Sequence, residues 1–131
     1  MTVDHNGVQQ PEKRQRILIV DDEAPLLFAL RKGLSSSTTV VDTAETPEEA
    51  RALLKEHSYQ AIIADLRLTG IPGEEGLDLL RYVKTLYPSL RTILITAYGN
   101  TETRERAAAL GVDYYLEKPV SLHVLRGTLE G

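Results

Sequence analysis

The chain has 131 residues and a formal net charge of −4, and its apolar and charged fractions are 42% and 26%. This length suits one domain with its own core, and the composition excludes global disorder. The acidic balance argues against direct nucleic-acid binding, and the absence of cysteine excludes disulfides, thiolate nucleophiles and Cys-based metal sites.

No apolar stretch of the sequence is long enough to cross a bilayer, and the N-terminus has no apolar signal-peptide core. We therefore expect a cytoplasmic protein with no membrane partner. Residues 1–15 are polar, contain Gly7 and Pro11 and show no periodicity. They predict a flexible tail over 1–15 and a single folded domain over 16–131.

Beyond the tail, short apolar runs alternate with helical patterns. The runs that predict strands are 17–20, 39–41, 61–64, 92–95 and 114–116. The runs at 17–20, 61–64 and 92–95 are the strongest, and continuous apolar runs of this kind are typical of strands buried on both faces of a parallel sheet. The runs at 39–41 and 114–116 are weaker, as edge strands often are.

Five helical patterns follow these runs. The second opens as a capping box, in which Thr46 precedes Pro47 and Glu49 stands three positions after Thr46. The third is predicted to stop before Pro88, and its apolar residues, spaced three apart, are Leu77, Leu80, Val83 and Leu86. The other helices are predicted to begin after Asp22, near Thr101 and at Ser121, and the fourth to end at Gly111.

Five strand–helix repeats predict parallel strands joined by right-handed crossovers, with helices on both faces. A closed eight-fold barrel needs far more chain. We therefore expect a single-domain α/β fold, a flavodoxin-like, doubly wound five-stranded sheet in the order 2-1-3-4-5. In this order strands 1 and 3 flank the switch point, where ligands bind at the carboxyl ends of the strands.

Charged side chains follow the strands that flank this point. Asp21 and Asp22 come after strand 1 and Asp65 after strand 3, so their carboxylates are expected to crowd together. Such crowding favours a hard divalent cation such as Mg²⁺. Lys118 after strand 5 adds a positive charge and Thr96 after strand 4 a hydroxyl, and these parts suit phosphoryl transfer to an aspartate nucleophile, for which Asp65 is the best candidate.

Four short segments carry a resemblance to a known family. They are Val20-Asp21-Asp22, Ala64-Asp65, Ile95-Thr96-Ala97 and Leu116-Glu117-Lys118-Pro119. In this order they resemble the receiver domain of bacterial two-component response regulators, over a span from about Arg16 to Gly131. The resemblance implies a signalling switch that catalyses only its own phosphorylation and dephosphorylation.

The resemblance also implies the roles of individual residues. Asp65 accepts a phosphoryl group from the phosphohistidine of a sensor histidine kinase or a histidine phosphotransfer protein, and Lys118 contacts the phosphoryl oxygens. The implied Mg²⁺ ligands are Asp21 (through water), Asp22, Asp65 and the backbone carbonyl of Arg67. Thr96 and Tyr115 form the switch pair, and the bond into Pro119 is a candidate for the cis form. Helix 4, strand 5 and helix 5 form the surface that signals to an output domain or a homodimer partner.

The sequence departs from the family after Asp65. Leu68 and Thr69 stand where the family often has Met-Pro, and the loop 69–76 is longer than usual. We hypothesise that Tyr98 shields the acyl phosphate from water. The chain ends soon after the fifth helix, which leaves open a stand-alone receiver or a fragment of a longer regulator.

Three other functions remain as alternatives. Taken alone, the acidic run Asp21-Asp22-Glu23 would equally suit a structural role as the cap of helix 1. A haloacid dehalogenase-like phosphatase would resemble Asp-x-Asp after strand 1, which this chain lacks, and a flavodoxin-like nucleotide binder needs phosphate-binding amides where this chain has acids. A degenerate receiver, never phosphorylated, would have lost residues such as Asp22, Asp65, Thr96 and Lys118.

Overall fold

The computed structural model describes residues 15–65, 75–97 and 101–130. The predicted tail, apart from Gln15, lies outside these residues, as do Arg67, Tyr98 and most of the loop 69–76. Gln15 is the first residue of a strand, one position before the predicted start of the domain. No helix in the described segments has the length and apolar character needed to cross a membrane.

Five parallel strands form one sheet in the order β2-β1-β3-β4-β5, which confirms the predicted fold class and strand order. The strands are β1 (Gln15–Val20), β2 (Thr39–Ala44), β3 (Ala61–Asp65), β4 (Arg91–Thr96) and β5 (Tyr114–Glu117). In β1, β3 and β4 successive side chains are buried on alternate faces of the sheet. This two-sided burial explains the continuous apolar runs 17–20, 61–64 and 93–95 within these strands.

Five helices cover the sheet, and their bounds are α1 (Ala24–Leu34), α2 (Pro47–Glu56), α3 (Glu75–Leu86), α4 (Thr101–Leu110) and α5 (Leu122–Glu130). On one face, α2, α3 and α4 pack on a core that includes Leu18, Ile62 and Leu94. On the other, α1 and α5 pack on a core that includes Ile19 and Ile63. The sheet therefore lies between two helical layers.

Two helix details differ from the sequence predictions. Thr46 Oγ1 accepts the amide of Glu49 at 3.1 Å as predicted, but Glu49 Oε2 accepts the amide of Glu45 rather than that of Thr46. Leu86, the last residue of the apolar pattern of α3, is 55% exposed, whereas Leu77, Leu80 and Val83 are buried. Nine residues turn a helix by two and a half turns, which puts Leu86 opposite Leu77 at the helix end.

Candidate functional site

The predicted carboxylates meet at the carboxyl ends of β1 and β3. Val20 pairs with Ala64 in the register of these strands, so the residues that follow, Asp21 and Asp65, stand at the same level. Asp21 is fully buried, Asp65 is 5% exposed, and Asp22 lies at the surface. One carboxylate oxygen from each of the three lies within 4.8 Å of the others. The structure thus brings together the acids that sequence reasoning nominated.

Lys118 is the residue that follows β5, and its side chain reaches this cluster. Its ammonium nitrogen lies 2.9 Å from Asp21 Oδ2 and 3.2 Å from Asp65 Oδ2, and it donates a hydrogen bond to each. Its backbone amide donates to the carbonyl of Thr96 at 2.8 Å, and the peptide bond from Lys118 to Pro119 is cis. The backbone therefore fixes the start of the lysine side chain and the two carboxylates fix its end.

The protonation of Lys118 follows from these contacts. Burial of the side chain lowers the pKa of the ammonium, but the hydrogen bonds and charges of Asp21 and Asp65 outweigh burial and raise the pKa above its usual value. Lys118 is therefore a fixed positive charge at neutral pH. Glu23 Oε1, 3.9 Å from the same nitrogen, adds a third, more exposed carboxylate that the sequence analysis did not single out.

The charge and donor set of the cluster fit a hard divalent cation. One ammonium faces the three carboxylates of Asp21, Asp22 and Asp65, which leaves an excess of negative charge. Mg²⁺ prefers oxygen ligands and usually keeps several waters, so one or two carboxylates suffice to hold it. Both oxygens of Asp21 already accept hydrogen bonds, from Glu23 N at 2.9 Å and from Lys118, which suits a ligand that acts through water.

The two predicted switch residues lie in β4 and β5. Thr96, the last residue of β4, is fully buried. Tyr115 in β5 packs its ring against the core beneath α4, and its hydroxyl oxygen is buried without a hydrogen-bond partner within the described segments. Burial raises the pKa of this phenol. Tyr98 and Arg67, which the sequence also nominated, lie outside the described residues.

An apolar cavity of about 340 Å³ opens beside Lys118. It lies between α1 and the start of α5, and its walls include Leu26, Leu30, Val120 and Leu125. Glu23 and Lys118 stand at its edge. Apolar surface therefore borders one side of the charge cluster. The sequence motifs give no indication of this surface.

Comparison with known proteins agrees with this arrangement. The sequence model of the response regulator receiver domain family matches residues 17–130 of this chain. The chain therefore belongs to this family. It is 36% identical over 113 residues to the response regulator protein PilR of Pseudomonas aeruginosa, which covers 86% of this chain and 25% of PilR. The chain spans a quarter to about half of the length of the curated regulators it matches.

Two solved structures show the same fold. The CheY-like receiver domain protein of Methanospirillum hungatei is 28% identical, with a TM-score of 0.81 over 90% of this chain and 92% of that one. A response regulator of Burkholderia pseudomallei, solved with a phosphorylated aspartic acid, calcium ion and citrate, is 28% identical, with a TM-score of 0.80 over 88% of this chain and 66% of that one. The protein is thus a receiver domain of a signalling family rather than a classical enzyme.

Proposed function

We propose that Asp65 is the phosphoacceptor of this receiver domain. One observation carries the proposal: Asp65 is nearly buried at the end of a central strand, bonded to Lys118 and close to Asp21 and Asp22. A carboxylate in this position has a fixed direction, a counter-charge and neighbouring acids suited to a metal. These are the positioning and charge-neutralising elements that phosphoryl transfer needs.

The proposed donor is the phosphohistidine of a sensor histidine kinase or a histidine phosphotransfer protein. An oxygen of Asp65 attacks the phosphorus, a P–O bond forms as the P–N bond breaks, and the leaving histidine nitrogen keeps the electron pair. Hydrolysis later adds water at phosphorus, breaks the P–O bond and returns free Asp65 and inorganic phosphate. The domain's own residues perform both steps.

The residues around Asp65 have separate roles in this proposal. Asp22 and Asp65 would hold Mg²⁺ directly and Asp21 through water, with the backbone carbonyl of Arg67 as a further ligand outside the described residues. A bound Mg²⁺ supplies Lewis-acid neutralisation of phosphoryl charge. The ammonium of Lys118, 3.2 Å from Asp65 Oδ2, is placed to contact oxygens of a phosphoryl group on Asp65. The calcium ion of the Burkholderia structure supports a divalent cation in such a domain.

The output is proposed to be the surface formed by α4, β5 and α5. A phosphoryl group adds negative charge and strong acceptors, which can bias an element with two arrangements. Thr96 lies at the end of β4 between Asp65 and this surface, and Tyr115 belongs to it. The partner would be an output domain or a second copy of the chain.

A direct experiment separates this function from the alternatives. The chain is incubated with Mg²⁺ and acetyl phosphate, and its intact mass is measured. We expect the gain of one phosphoryl group in the wild type, none in Asp65→Asn, and wild-type labelling in the control Asp78→Asn, whose carboxylate is exposed on α3 and paired with Arg81. An unlabelled wild type would favour a degenerate receiver, and steady turnover of small phosphate esters would favour a phosphatase.

A further inference from the structure

Arg104 joins α4 to β5 through two contacts. Its guanidinium carbon lies 4.7 Å from the centroid of the Tyr115 ring, and its Nη2 lies 3.0 Å from Glu117 Oε1. Tyr115 and Glu117 are two positions apart in β5, so their side chains share one face of the strand. A single arginine from the helix therefore lies across the tyrosine and is anchored to the acid beyond it.

The inward position of Tyr115 needs such support. Its hydroxyl oxygen is buried without a hydrogen-bond partner in the described part of the chain, and burying an unpaired hydroxyl is unfavourable. Packing of the ring against the core offsets this cost, and a cation over the aromatic face adds to the offset. On α4 itself only Thr103 and Ala107 are buried, and Leu110 is half-buried against the same core as Tyr115.

We propose that Arg104 is a positioning residue for Tyr115: its guanidinium, anchored by Glu117, holds the ring inward and fixes α4 to β5. The position of the aromatic ring is thereby tied to the position of α4. Any rearrangement of α4 that withdraws Arg104 frees the ring, and any outward rotation of the ring releases Arg104. The link from this pair to phosphorylation rests on the proposed function, whereas the position of the ring does not.

The position of the ring can be measured without a phosphodonor. The full chain is labelled with 3-fluorotyrosine, the Tyr115 signal is assigned in ¹⁹F NMR spectra by Tyr115→Phe, and its relaxation by a soluble gadolinium chelate reports solvent exposure. In Arg104→Ala we expect the ratio of outward to inward ring to rise by about two- to five-fold, the change that loss of one exposed cation–π contact implies, and the relaxation to rise with it. The signals of the other five tyrosines should stay unchanged, which shows that the fold is intact.

The titration of the phenol separates positioning from a simple charge effect. Burial and Glu117 raise the pKa of Tyr115, and the positive charge of Arg104 lowers it. If the ring stays inward when Arg104 is removed, its pKa rises because only the cation is lost. If the ring turns outward as proposed, burial is lost and the pKa falls towards the ordinary value.

Matched variants complete the test. Arg81→Ala removes another exposed arginine, which pairs with Asp78 at 2.8 Å on α3, and should leave Tyr115 unchanged. Arg104→Lys keeps the charge and should retain most of the protection, and Glu117→Gln should give a smaller exposure than Arg104→Ala. The proposal is overturned if Tyr115 in Arg104→Ala stays as protected as in the wild type with a raised pKa, or if Arg81→Ala exposes it equally.

Discussion

The ammonium of Lys118 donates a hydrogen bond to Asp21 Oδ2 over 2.9 Å, which joins two side chains that lie 97 positions apart in the sequence. Asp21 is fully buried and the Lys118 side chain is 16% exposed, so solvent screens this pair weakly. The contact links the residue after β5 to the residue after β1 at the carboxyl ends of the strands. Lys118 is thus a structural counter-ion as well as a candidate for phosphoryl contact.

Replacement of this lysine should destabilise the protein when no divalent cation is present. In Lys118→Met the carboxylates of Asp21 and Asp65 lose their cation, and breaking a buried ion pair costs about 3–5 kcal/mol. Urea unfolding in the presence of a chelator should show a loss of this size. Addition of Mg²⁺ should recover part of it, because the ion binds only the folded cluster.

Lys84→Met is the matched control for that measurement. Lys84 contacts Asp113 at 3.7 Å, and the Asp113 side chain is 44% exposed, so the pair is partly screened. The loss should stay below about 1 kcal/mol and should not respond to Mg²⁺. Equal losses in the two variants would contradict the role given to Lys118.

Asp22 should control metal affinity more than stability. Its carboxylate belongs to the acidic cluster but lies at the surface, so Asp22→Ala removes a ligand without opening the core. We expect the Mg²⁺ concentration for half-maximal labelling by acetyl phosphate to rise at least tenfold, on the order of the effect of losing a supporting metal contact. The free energy of unfolding in chelator should change by less than about 0.5 kcal/mol. Unchanged Mg²⁺ dependence would remove Asp22 from the proposed ligands.

Stability should fall in alkali because several groups, Tyr59 and Lys118 among them, hold their protons more tightly in the folded state. Burial raises the pKa of Tyr59, and its hydrogen bond to Asp42 at 2.6 Å raises it further, while the pKa of Lys118 is raised by its carboxylates. The unfolded chain releases these protons first, near the usual values of 10.0 and 10.5. Their contribution is therefore complete below about pH 10 and is lost as pH rises through the folded values.

Urea midpoints measured between pH 7 and 11 test this dependence. Tyr59→Phe should lower the free energy of unfolding by about 1.5–3 kcal/mol at pH 7, because the hydrogen bond that it removes has a charged acceptor. This acceptor is the carboxylate of Asp42, which also accepts a hydrogen bond from Arg16 at 2.6 Å. Above pH 10 the variant should lose stability less steeply than the wild type. Parallel curves would show that Tyr59 does not titrate with unfolding.

Much of the site could be predicted because the fold converts sequence position into spatial position. Asp21, Asp65 and Thr96 follow apolar runs directly, and parallel strands bring such residues to one edge of the sheet. Lys118 could be predicted only from its position after strand 5 and before a proline, since a lysine after a weak strand has no other distinguishing pattern. Its contact with Asp21 as well as Asp65 depends on the direction in which the side chain leaves the end of β5, which the residue order does not show.

Other features depended on packing that sequence patterns do not record. In the sequence Arg104 does not differ from the other charged residues of a polar helix. Its place above the Tyr115 ring depends on which side of α4 faces β5. Leu86 has the apolar character of a core residue, yet it ends α3 on the exposed side. Side-chain contacts between elements follow from the angles at which the elements pack, and these angles are set by the whole core.

Two glycines in the α1 and α5 helices should respond oppositely to alanine. A Cβ on Gly33 would meet Leu122 Cδ1 at 2.6 Å, because α1 and α5 approach closely there. A Cβ on Gly127 would meet no atom within 4 Å. We expect Gly33→Ala to destabilise by about 1 kcal/mol, near the low end of overpacking costs since Leu122 can change rotamer. Gly127→Ala should stabilise by about 0.5–1 kcal/mol, because alanine restricts the unfolded chain and favours the helix.

Thermal unfolding of the two variants measures this difference. The pair is internally matched, since both changes add one methyl group to a helical glycine and raise helix propensity alike. The difference between them therefore reports the space between α1 and α5, with intrinsic helix preference cancelled. Stabilisation of similar size in both variants would show that Leu122 yields freely and that Gly33 is not needed for the close approach of α1 to α5.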